Sequence, residues 1–155
     1  MKARTIVLTL ALCFMEVAVC FAQSPFMGMW KLNDAKSTLA PGTPKINTVV
    51  YENSPDHNVK VTTDGTDGAG NRTHSEWTGK FDGKDYPVTD DLDSDSRSYT
   101  RIGIEELDFT VKKGAKVTTT GRIVVSGDGK SRTVTTSGTD AKGKKFTSTA
   151  VYDKQ

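Results

Sequence analysis

Alternation of apolar and polar residues, broken every eight to twelve residues or so by a glycine-containing turn, is the feature that most narrows what this chain can become. In "RTHSEWTGKF" (72–81), Thr73, Ser75, Trp77, Gly79 and Phe81 share one parity, and Arg72, His74, Glu76, Thr78 and Lys80 share the other. A period of two puts one set on the core face of a strand and the other in water. The same split predicts Leu107, Phe109 and Val111 inward in "ELDFTVK", and Val117, Ile123 and Val125 inward in "KVTTTGRIVV". In "KFTSTAVY" it predicts Phe146, Ala150 and Tyr152 on one side. Between the runs stand "DGTDGAG", "DGK", "KKGAK", "SGDGK" and "GTDAKGK", whose glycines supply the positive φ angles of tight hairpin turns. Threonine, which suits a half-exposed pleated surface, occurs 20 times after residue 22. The expected fold class is all-β: an antiparallel up-and-down β-barrel of about eight to ten strands.

"VTTDGTDGAG" (61–70) returns as "VTTSGTDAKG" (134–143), with seven of ten positions identical. Each copy reads as a strand end, a turn and the approach to the next strand, preceded by another strand–turn, "VVYENSPDHNV" or "IVVSGDGKSR". Two readings fit. A three-stranded meander is written twice, or equal turn lengths have selected equal turn residues.

The chain opens "MKARTIVLTLALCFMEVAVCFAQS". Lys2 and Arg4 precede a mostly apolar run, and Cys20-Phe21-Ala22 offers small residues before a cut, so residues 1–22 read as a signal peptide and 23–155 as a single barrel domain. Glu16 interrupts the run, which is shorter than a membrane span needs. Val19 before Cys20 does not suit lipoprotein processing. Cys13 and Cys20 both fall in the leader, which leaves the mature chain without disulfides or a thiolate site. A disulfide-free exported domain suggests the bacterial envelope: secreted or periplasmic. Charges after residue 22 nearly balance, 19 basic against 18 acidic, and are interspersed. That argues against a nucleic-acid partner and, with no second long apolar stretch, against membrane insertion.

"FMGMWKLNDAKS" places Gly28-Met29-Trp30 at the head of the first strand. This resembles the Gly-x-Trp start of the lipocalins and their calycin relatives, which include fatty-acid-binding proteins and avidins. The terminal "TAVYDKQ", with Tyr152, is similar to the last strand of fatty-acid-binding proteins. The resemblance implies a lipocalin-like barrel whose closed end is plugged by Gly28 and Trp30 beside the last strand. Fatty-acid-binding proteins hold a carboxylate with an Arg two residues before that Tyr, a position taken here by Ala150, and the helical lid they carry has no counterpart in "DAKSTLAPGTPK". No closing Arg is found near the C-terminus. The chain also looks like small exported bacterial proteins with "FDGKDYPV" turns.

Catalytic sets are hard to assemble. His57 sits in a turn and His74 on a wet parity, which disfavours both a Ser–His–acid set and an inward haem ligand. Glu76 and Asp108 also lie on wet parities, while Glu105 and Glu106 leave a glycosidase pair open. No glycine-rich loop precedes a helix. The expectation is a non-enzyme with no cofactor. "DDLDSDSRS" gives Asp91, Asp93 and Asp95 the one-three-five spacing of a calcium loop, though Ser96 and Ile102 stand where Gly and Glu belong. A solvated acidic loop is the plainer reading. Asn71-Arg72-Thr73 is a glycosylation sequon in a eukaryotic host only.

The function expected is that of a monomeric exported barrel binding a small apolar or amphipathic molecule, because an interior of this size fills with side chains or holds one small ligand. Trp77, Phe81, Tyr99, Leu107, Phe109 and Phe146 are the expected lining, with space beside them left by Thr73, Ser75, Gly79, Thr119, Gly121, Ser148 and Ala150. The alternative is a ligand-free β-module acting by protein–protein contact.

Overall fold

The computed structural model describes residues 24–139 and 143–155; the expected leader, residues 1–22, lies outside them. Ten strands follow in order: β1 (Gly28–Leu32), β2 (Lys45–Ser54), β3 (Asn58–Thr66), β4 (Arg72–Gly79), β5 (Tyr86–Thr89), β6 (Ser96–Arg101), β7 (Glu106–Lys113), β8 (Lys116–Val125), β9 (Ser131–Thr139) and β10 (Lys145–Lys154). Each pairs antiparallel with its neighbours in sequence, and β1 also pairs with β10, Trp30 opposite Lys154 and Leu32 opposite Tyr152. The result is the expected closed up-and-down barrel. Closure removes the free edges that an open sheet would present.

Alternation sets the core. Val49 and Tyr51 of β2, Val59 and Val61 of β3, Trp77 of β4, Tyr99 of β6, Leu107 of β7, Ile123 and Val125 of β8, and Ala150 and Tyr152 of β10 are all buried. Phe26 and Met27, just before β1, are buried with them. Toward one end, where β2 gives way to β3 and β8 to β9, Phe26, Trp30 and Leu107 are 0% exposed, with Phe81 and Tyr86 partly buried against them.

Val117 does not follow the expected pattern. Val111 pairs with Thr119 but Lys112 pairs with Val117, so one residue of β8 is bulged between them. An extra residue reverses the facing of everything beyond it. Val117 is therefore turned outward and is 47% exposed. Phe81 also falls outside its expected strand, since β4 ends at Gly79, yet its ring packs against the core.

The repeat has a structural counterpart. Gly65 faces Ile46 on β2 and Thr73 on β4; Gly138 faces Thr119 on β8 and Phe146 on β10. Positions 46 and 119, 65 and 138, and 73 and 146 all differ by the interval that separates the two copies. A Cβ on Gly65 would lie 2.2 Å from the Lys45 carbonyl oxygen, and one on Gly138 would lie 2.4 Å from that of Thr118. Lys45 and Thr118 are again a matching pair. Both glycines admit a neighbouring backbone at a distance no side chain allows, so the units β2–β4 and β8–β10 share register and close approach, not only turn chemistry.

Candidate functional site

The interior divides into two halves. In the sealed half, Trp77 and Phe81 stack with centroids 6.4 Å apart, and Tyr99 meets both edge-on at 4.8 and 5.7 Å. Phe109 joins Tyr99 at 5.9 Å, and Phe26 and Tyr51 meet Phe81 at 6.0 and 6.4 Å. Four of the expected lining residues thus form one aromatic cluster, and Leu107 is fully buried in the same core. Trp77 is fixed further by its Nε1, which donates to the Arg97 carbonyl at 2.8 Å.

Phe146 is placed differently. It lies over Gly138 at the opposite rim, beside a recess of about 330 Å³ shared with Thr119 and Lys145. Space expected beside the glycines is taken by rings. A Cβ on Gly121 would meet Phe109 at 2.5 Å, and one on Gly79 would meet Tyr86 at the same distance. Thr63 and Ser75 are buried and hydrogen-bonded to each other at 2.7 Å, while the Ser148 hydroxyl accepts from the Ala40 amide at 2.9 Å. Toward this rim the inward residues Thr73, Val111, Thr119, Thr136 and Phe146 are only partly buried. These side chains keep partial contact with solvent, while from the β1–β2 connection Leu39 packs against the core and the Ala40 amide reaches Ser148.

Gly28 and Trp30 sit at the sealed end. Gly28 has φ +102°, a conformation that favours glycine, with Lys154 alongside. Trp30 donates its Nε1 to the Phe26 carbonyl at 2.8 Å, and Lys154 lies 5.2 Å from its ring centre. The arginine on this ring is Arg132 of β9, 4.9 Å from the ring centre. It comes from the penultimate strand, not from the C-terminal segment where a closing Arg would be sought.

Two interior arginines are the features that sequence reading passed over. Arg132 is 2% exposed, among the rings of Trp30, Tyr51 and Tyr152 at 4.9, 5.1 and 4.8 Å. Its Nε and Nη1 have no hydrogen-bond partner among the described residues. Arg97 shares the inward parity of Tyr99, its side chain is 13% exposed, and its Nε is likewise unpartnered. The nearest carboxylate recorded for it is Asp91, 3.9 Å from Nη2. Burial by itself lowers the Arg97 pKa, but Tyr99, Asp91 and Tyr51 outweigh it and the net shift is upward, so the group stays charged. Burial raises the Tyr51 hydroxyl, with Tyr99 adding to it and Arg132 opposing it. Tyr152 is pushed up to about 12, mainly by burial, and donates to the Ile46 carbonyl at 3.0 Å. The signal was available in sequence, because Arg132 shares the parity of Val134 and Gly138, and Arg97 that of Tyr99.

The acidic loop does not assemble into a metal site. Asp91 accepts from the Asp93 amide and the Ser94 hydroxyl, and Asp95 accepts from the Gly114 amide. These carboxylates serve local turns instead of converging, and no group of three His, Cys, Asp or Glu residues among the described residues is placed to hold an ion. Asp91, Asp93 and Asp95 thus show no convergence here, and their contacts fit the plainer reading of a solvated acidic loop. His57 is exposed in its turn, and His74 is exposed on the outer face, its Nδ1 2.7 Å from Asp64 Oδ1. That hydrogen bond raises the His74 pKa.

The chain matches no protein-family model and no curated protein. The likeness to lipocalins rests on Gly28-Met29-Trp30 and Tyr152 themselves.

Proposed function

We propose that the protein binds a small apolar or amphipathic molecule, taken into the barrel through the end bordered by β8, β9 and β10. The observation that carries this reading is the asymmetry of the two ends. Phe26, Trp30 and Leu107 are wholly buried toward one, whereas inward side chains from Thr73 to Phe146 keep partial exposure at the other. A barrel dry at the floor and wetter at the mouth is the shape in which such folds hold ligands. Export and a monomeric state complete the reading, from the leader-like residues 1–22 and from the closed sheet, which offers no edge for pairing.

One observation favours a second reading, a ligand-free module working by surface contact. Rings lie over Gly79 and Gly121 and fill space that a ligand would otherwise use, while Leu92 and Ile104 stand 92% and 82% exposed on loops. Native mass spectrometry of the protein purified from its own source separates the two. An added mass that disappears on extraction with organic solvent is expected. A bare chain in repeated preparations would favour the contact module.

A further inference from the structure

Outside the barrel, and independently of anything its interior holds, we infer that the β6–β7 connection (102–105) docks a segment of another protein in which apolar side chains stand beside Lys or Arg. The connection reads "IGIE". Other connections use polar turn formers, as in "DGAG" (67–70), "DGK" (82–84) and "SGDGK" (126–130). A hairpin turn needs nothing that isoleucine supplies. Yet Ile102 is 44% and Ile104 82% exposed, and both line a recess of about 410 Å³ that also takes in Glu105 and Glu106. Val124, opposite Glu106 in register, adds a third exposed apolar side chain beside it. Apolar residues scattered singly over a surface are ordinary, but a group around one recess marks a contact site.

The connection is tied down. The Ile102 and Gly103 amides donate to the Glu106 carbonyl at 3.1 and 3.3 Å, and the Val125 amide to the Glu105 carbonyl at 2.9 Å. Arg101 Nη1 donates to the Ile104 carbonyl at 3.3 Å. Isoleucines displayed on a fixed backbone lose little further freedom when a partner covers them. Charge then says which partner. Glu76, Asp85 and Asp108 are each paired with a cation, whereas Glu105 and Glu106 form no ion pair among the described residues. The neighbouring cations are committed elsewhere. Arg101 lies over Phe26 and Phe81, 5.2 and 5.7 Å from the ring centres, and its Nη2 donates to the Ser24 hydroxyl at 3.1 Å. Arg122 grips Asp108 through two nitrogens at 2.8 and 3.1 Å. Two unneutralised carboxylates beside an apolar recess favour a basic, apolar segment and repel an acidic one. A second copy meeting this face about a twofold axis would set the same carboxylates against each other, and an anionic bilayer would meet the same repulsion.

The test follows backbone amide NMR shifts of the protein at low ionic strength as a short peptide of alternating lysine and leucine is added. Its glutamate–leucine and lysine–serine counterparts serve as controls. Saturable shifts are expected at residues 102–106 and at Val124, with an affinity at least about tenfold above that of either control. Ile104→Ser, checked for native circular dichroism, is expected to weaken the lysine–leucine peptide about tenfold. Glu105→Gln together with Glu106→Gln is expected to weaken it about threefold or more, an effect that added salt diminishes. Leu92→Ser, on a different loop, is expected to change nothing. Absence of saturable shifts would overturn the inference, as would shifts centred on the acidic loop from Asp91 to Asp95. Equal binding of the glutamate–leucine peptide would remove the role of charge, and equal binding of the lysine–serine peptide that of the isoleucines; either result overturns it. So does an affinity that Ile104→Ser leaves unaltered. None of these outcomes bears on what the interior holds, which native mass spectrometry decides separately.

Discussion

Trp30 stands where three separate parts of the chain meet. Its Nε1 is tied to the Phe26 carbonyl, its ring carries Arg132 from β9, and Lys154 of β10 reaches it from the other end of the sequence. Its side chain is wholly excluded from solvent, so truncation removes a large apolar surface and leaves a hole that a closed wall cannot collapse to fill. Trp30→Ala is expected to cost about 3–5 kcal/mol, read from the midpoint of urea unfolding. An unchanged midpoint would mean that the ring does not hold this end of the barrel. The Arg132 contact shows why residue type alone misleads at such a place. An arginine is ordinarily solvated, and only its parity with Val134 and Gly138 on β9 marks it as an interior group.

Strands and turns were legible because a period of two is imposed by the pleat itself, and Asp-Gly and Gly-rich pieces have few other uses. The inward faces of β4, β7 and β10 followed directly from Trp77, Leu107 and Tyr152. What the period cannot announce is a change of phase. The bulge that turns Val117 outward leaves no mark in "KVTTTGRIVV", since threonine suits either face. Phe26 escaped for a related reason: it lies ahead of β1, where no alternation assigns it a side. Arg97 and Arg132 are marked as interior groups only by the parity they share with Tyr99 and Val134, because the residue type itself signals solvent. The glycine in both copies of the repeat offers a test at this scale. Gly65→Ala would drive a methyl group into backbone atoms, the Lys45 carbonyl oxygen and the Ile46 Cα, neither of which can rotate away. A loss of about 1–3 kcal/mol is expected. Gly127→Ala, in an open turn with nothing within 4 Å of its new methyl, is expected to stay within about 0.5 kcal/mol of the parent. Equal effects at the two positions would refute the close approach.

For the molecule as a whole, the buried phenols couple integrity to alkaline pH. Tyr152 has a folded pKa of about 12 and Tyr51 is also raised, chiefly by burial, against an unfolded value of 10.0. A raised folded pKa means that the folded state binds the proton more tightly. The stabilisation is complete below pH 10 and is lost as pH rises through the folded pKa. The melting temperature is therefore expected to fall steeply above about pH 10, and Tyr152→Phe to flatten that fall. An equally steep fall in the variant would place its origin elsewhere. One further consequence belongs to the pairing of β1 with β10. The strand nearest the start of the chain finds one of its two partners in the strand nearest the end, and the ring of Trp30 waits for Lys154. Of the ten strands, β1 leaves the ribosome before the others and, once β2 has paired with it, stays half-paired until β10 follows. No partial product can be a smaller barrel; it is an open sheet with a bare tryptophan at its margin. Closure of the barrel thus has a single late commitment point, the emergence of β10. Until then the growing chain displays the surfaces that a chaperone or a protease would seize.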